Sequence, residues 1–124
     1  MARPNAPQEP ASPRLAFTFY AANGRVYASN ARQKLIDLGA LTPRDQGWSY
    51  LLDGNQQAGE GFPSPEAALR HIADHMRFLY LDGQFTALAD LREGDTPVHL
   101  DGAARIDVSI DVLQHGEPME DSQV

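Results

Sequence analysis

At 124 residues the chain suits one hydrophobic core, and an apolar fraction of 42% with 10 glycines and 9 prolines predicts short elements joined by many turns, not a long helical bundle. There is no cysteine, which excludes a disulfide framework, a thiolate metal site and a cysteine nucleophile. The net charge of −7 is lopsided: residues 1–62 hold five acids and six bases, whereas residues 63–124 hold twelve acids and only Arg70, Arg77, Arg92 and Arg105.

Pro4, Pro7, Pro10 and Pro13 recur every three residues, as on one face of a polyproline II helix. Residues 1–14 are expected to form a disordered, proline-rich tail, and residues 115–124 an acidic flexible tail, around a single domain at 15–114. The last residues, Ser122-Gln123-Val124, resemble a carboxyl-terminal ligand of PDZ domains. No apolar run has signal-peptide length or approaches the roughly 20 residues of a membrane span, so the expected address is the cytoplasm.

Leu15, Phe17 and Phe19 alternate with Ala16, Thr18 and Tyr20, and Asn23-Gly24 then precedes Arg25-Val26-Tyr27-Ala28, which predicts strand, tight turn, strand. Ser29 or Asn30 followed by Leu35, Leu38 and Gly39 predicts a short helix over about 31–38. Trp48 to Leu52 reads as the next strand, ending in Asp53-Gly54, and Asn55 to Gly61 as a short strand or a loop. Ser64-Pro65-Glu66 combines a capping hydroxyl, a proline preset for the first helical position and an acid at the positive end of the dipole. Leu69, Ile72, Met76 and Leu79 continue from it at steps of three and four, so the main helix is expected over about 65–80, with Phe78-Leu79-Tyr80-Leu81 helical and Asp82-Gly83 a turn. Val98 and Leu100, then Ile106, Val108, Ile110 and Val112, predict an antiparallel pair with one wet face. The expected fold is α+β: an antiparallel sheet of about four to six strands with one main helix and one short helix packed on it.

His71 and His75 lie one helical turn apart, the spacing that lets two imidazoles reach one metal ion. They fall off the apolar stripe, so they are read as surface histidines and only as weak metal candidates, with His99 a third. Asp107, Ser109 and Asp111 share the wet face of the last strand, and regular pairing would bring His99 and Asp101 beside them. That set suits a solvated face, a protein contact, or divalent-metal and acid-base work. Trp48, Tyr50 and Phe62 are read as packing between sheet and helix. Neither a phosphate-cradling nor a dinucleotide-binding glycine motif is present. The stretch from Trp48 to Asp74 resembles, in generic architecture, the small sheet-plus-helix domains that integrases use on arm-type DNA. It carries no Lys or Arg between Trp48 and Leu69, so the resemblance transfers no residue role.

With a single lysine, Lys34, direct nucleic-acid binding is disfavoured and a basic protein partner favoured. The expected function is non-catalytic binding by a small acidic protein of inhibitor, immunity or anti-defence type, such as a bacterial or phage accessory protein. Its binding residues would be Asp82, Asp90, Glu93, Asp95, Asp101, Asp107 and Asp111; no catalytic residue and no cofactor is assigned. The alternatives are a metal-dependent hydrolase built on the His and Asp clusters, and an accessory DNA-binding domain using Arg25, Arg32, Lys34 and Arg44.

Overall fold

The computed structural model describes residues 14–93 and 98–112. The C-terminal tail with its PDZ-like end, Asp95, and all of the N-terminal tail except Arg14 lie outside the described residues.

Five strands come first in the chain: β1 (Arg14–Ala22), β2 (Arg25–Ser29), β3 (Leu35–Arg44), β4 (Gly47–Leu52) and β5 (Ala58–Phe62). Helices α1 (Pro65–Asp74) and α2 (Phe78–Ala87) and a short 3-10 turn (Leu91–Glu93) follow, and β6 (Ala104–Asp111) is the last element among the described residues. The six strands form one antiparallel sheet in the order β5-β4-β3-β2-β1-β6, and the fold is α+β. The β1-β2 hairpin forms where Asn23 and Gly24 take φ of 58° and 72°, the pair of positive angles that matches a two-residue turn to the twist of its strands.

Helix α1 starts as its sequence dictates: the Ser64 hydroxyl accepts from the Ala67 N–H at 3.1 Å, with Pro65 in the first turn. It packs on β6 and β1 on one side and on β4 and β5 on the other, so the sheet curls around it. Ala68, Leu69, Ile72 and Met76 meet Phe17, Phe19, Val26, Ala28, Ile36, Leu38 and Leu52 in the core. Each large side chain buried there is worth about 1.5–3 kcal/mol. No helix among the described residues is long and apolar enough to cross a membrane.

Three expectations are corrected. The short helix expected over about 31–38 does not form: residues 35–44 are β3. Asn30 does act as a cap, but of a turn, its side-chain oxygen accepting from the N–H groups of Arg32 and Lys34 while Gln33 takes a φ of 69°. The main helix stops at Asp74 instead of about residue 80. Its end tightens as His75 N–H reaches His71 O and Ile72 O, and Arg77 is extended before α2 begins. Phe78 to Leu81 is helical as expected, but in this second helix, which also absorbs Asp82 and Gly83. Finally, residues 98–100 form no strand, and β6 pairs with β1, placing Phe17 opposite Val108 and Thr18 opposite Asp107.

Candidate functional site

The acidic positions fall into three separate places. Asp82 on α2, Asp90 and Glu93 surround the β2-β3 turn, where Asp82 shares a cleft with Asn30 and Arg32 and Asp90 accepts from the N–H groups of Leu35 and Arg92. Those two N–H groups, Arg92's first, hold the Asp90 carboxyl below its ordinary range, so this acid is a structural clasp between β3 and the 3-10 turn. Asp107 and Asp111 stand on β6, and Asp101 occupies a turn before that strand. His99 and Asp101 do not lie on a strand beside Asp107 and Asp111, because the neighbour of β6 is β1.

The wet face of β6 is as its alternation implies, with Arg105, Asp107 and Ser109 exposed and Ile110 buried. Asp107 accepts from the Thr18 hydroxyl at 2.8 Å and from Arg105 at 3.0 Å. The hydroxyl first and the guanidinium second keep this carboxyl below its usual range. Arg105 also lies over the Tyr20 ring, 5.6 Å from its centre.

Where α1 crosses β4, the structure assembles a cluster that the sequence had not suggested. Tyr50 is buried, at 3% exposure, and its phenol oxygen lies 2.8 Å from His71 Nδ1. Gln57 Nε2 donates to the same oxygen at 3.0 Å, which leaves the phenol proton available for His71 Nδ1 when the imidazole is neutral and carries its proton on Nε2. Phe62 packs on both rings, and His75 lies 4.3 Å from His71, ring centre to ring centre. Desolvation and then the neighbouring His75 push the His71 pKa down, partly opposed by Asp74. Burial pushes the Tyr50 phenol up. His71 is thus half-buried, whereas His75 is exposed as expected and directs Nδ1 to the His71 carbonyl oxygen at 2.9 Å. Among the described residues no group of three or more His, Asp or Glu comes together that could hold a metal ion.

Several cations direct their donors at groups within the chain. Arg25 bridges Asp37 at 3.0 Å and Asp53 at 2.8 Å, Arg14 donates to Ser109, Arg92 to Gln33, and Lys34 to the Phe85 carbonyl. Arg25, Arg32, Lys34 and Arg44 therefore do not form one basic face: Arg25 stands beside the β1-β2 turn and Arg32 and Lys34 at the opposite end of β2. An open groove of about 510 Å³ on β3, β4 and β5, lined by Ala40, Thr42, Leu51 and Glu60 among others, takes in Arg44 and Tyr50 but none of the acidic positions expected to bind a partner.

The chain matches no protein-family model, no curated protein and no solved structure.

Proposed function

We propose that this protein is a non-catalytic binding protein whose acidic surface engages a basic surface of a protein partner. The observation that carries the reading is an asymmetry in how charge is used. Arg14, Arg25, Lys34, Arg92 and Arg105 direct their donors at groups within the chain, whereas the exposed carboxylates of Asp82, Glu93 and Asp101 have no hydrogen bond or ion pair among the described residues. A surface arranged this way leaves these carboxylates open to a partner while committing the donors of its cations to groups within the chain. Such a surface steers a basic partner and sets its register. Acting by occupancy, it would block whatever else that basic surface holds.

Titration calorimetry against a small, strongly basic protein, repeated from about 50 mM to about 500 mM salt, tests this, because exposed charges are screened over that range. Binding that weakens steadily with salt, with none to a neutral protein of similar size, supports the proposal. Affinity indifferent to salt, or no binding at the lowest salt, overturns it.

A further inference from the structure

We propose that β6 is a self-pairing edge, through which two copies of this chain associate into one continuous antiparallel sheet. The backbone pattern sets which groups are on offer. In a two-residue hairpin the residues flanking the turn, here Ala22 and Arg25, exchange backbone hydrogen bonds, and the bonding then alternates along β1. Leu15, Phe17, Phe19 and Ala21 consequently direct their N–H and C=O groups to β6, where they meet Ile110, Val108, Ile106 and Ala104 without a register shift. By the same alternation Arg105, Asp107, Ser109 and Asp111 direct theirs away from the sheet. The Arg14 guanidinium donating at 2.8 Å to the Ser109 carbonyl agrees with this, since that oxygen is free to accept it only at the outer edge. Among the described residues no strand pairs with this edge. A cavity of about 340 Å³ at the end of the strand is lined by Arg14, Asp74, Ser109 and Asp111, among other described residues.

Charge selects the occupant. Antiparallel pairing about a two-fold axis at Val108 puts Arg105 opposite Asp111 of the second copy and Asp107 opposite Ser109. On the inner face Ile106 meets Ile110, and Val108 meets itself. Every outward N–H of Arg105, Asp107, Ser109 and Asp111 then finds a carbonyl. Moving the axis to Asp107 places two Asp107 carboxylates face to face, and moving it to Ser109 opposes Asp107 to Asp111. The strand is therefore complementary to itself in one register of full length. Arg14 acts as a guard on that edge, because its guanidinium already sits on the Ser109 carbonyl and there competes with the Asp107 N–H of the second copy. A charged side chain over an edge strand is a common restraint on such pairing.

Sedimentation equilibrium of the full chain from about 1 µM to about 500 µM reads the association directly. The expected result is a reversible monomer-dimer equilibrium that tightens several-fold in Arg14→Ala. Ser109→Pro should abolish it, since that substitution deletes an outward N–H and leaves the bonds to β1 intact. Arg105→Asp should weaken it about tenfold, and adding Asp111→Arg should restore it. If Ser109→Pro does not fold, the two charge substitutions decide the question. A wild-type chain and an Arg14→Ala variant that both stay monomeric throughout would overturn the proposal, as would a dimer indifferent to these substitutions.

Discussion

Tyr50 and His71 stand 21 residues apart in the chain and meet at 2.8 Å, a contact that no local pattern announces. What the sequence showed was His71 and His75 one turn apart, off the stripe of Leu69, Ile72 and Met76. Position on a helical wheel says nothing about a strand passing beside that turn, and β4 brings Tyr50 there. The burial of His71 there, with His75 beside it, gives a pH dependence. The His71 pKa is lowered in the folded chain, so near and below the ordinary value of about 6.5 the unfolded chain binds a proton that the folded chain refuses. The stability contributed by neutral His71 is therefore complete above that value and is lost as pH falls below it. Urea unfolding at steps from about pH 7 to about pH 5 should show stability declining, and His71→Gln should make the decline shallower. Identical slopes would remove His71 from the explanation.

At the scale of elements, what was legible was whatever local chemistry decides. Asn23-Gly24 made the hairpin, Ser64-Pro65-Glu66 started α1, and alternation from Ile106 to Ile110 marked β6 as a strand with one wet face. Strand β3 was misread for a physical reason. A bulge shifts its register against β2, so that Val26 pairs with Gly39 and Tyr27 with Asp37. Its buried positions become Leu35, Ile36, Leu38, Gly39 and Leu41, a spacing that imitates a helical face. Gly39 looked like a helix stop, yet its role is close approach between strands. A Cβ there would lie 2.3 Å from the Leu51 carbonyl oxygen and 2.6 Å from the Leu52 Cα, both backbone atoms that cannot step aside. Gly39→Ala should therefore cost about 3 kcal/mol in chemical denaturation. A loss below about 0.5 kcal/mol would mean that β3 and β4 do not pass this closely. The partner of β6 was illegible because nothing local distinguishes a hairpin with residues 98–100 from pairing with β1, about ninety residues away in the chain.

For the whole molecule, folding revises what the charge means. Of the net −7, the described residues account for only −3, with twelve acids and nine bases. Asp90 and Asp107, two of the positions first expected to meet a partner, are instead held by hydrogen bonds within the fold. Of the positions first expected to meet a partner, Asp82, Glu93 and Asp101 keep exposed carboxylates with no hydrogen bond or ion pair among the described residues, supplied from α2, the 3-10 turn and the turn before β6. These three side chains are exposed and make no hydrogen bond or ion pair among the described residues, so neutralising them should leave the fold unchanged. The most direct measurement is fluorescence anisotropy of a labelled lysine-rich peptide, titrated at low salt with the wild-type chain and with the Asp82→Asn, Glu93→Gln, Asp101→Asn triple variant. The expected result is an affinity about tenfold weaker for the variant and a shallower dependence on salt. Equal affinity and equal salt dependence for the two chains would contradict it.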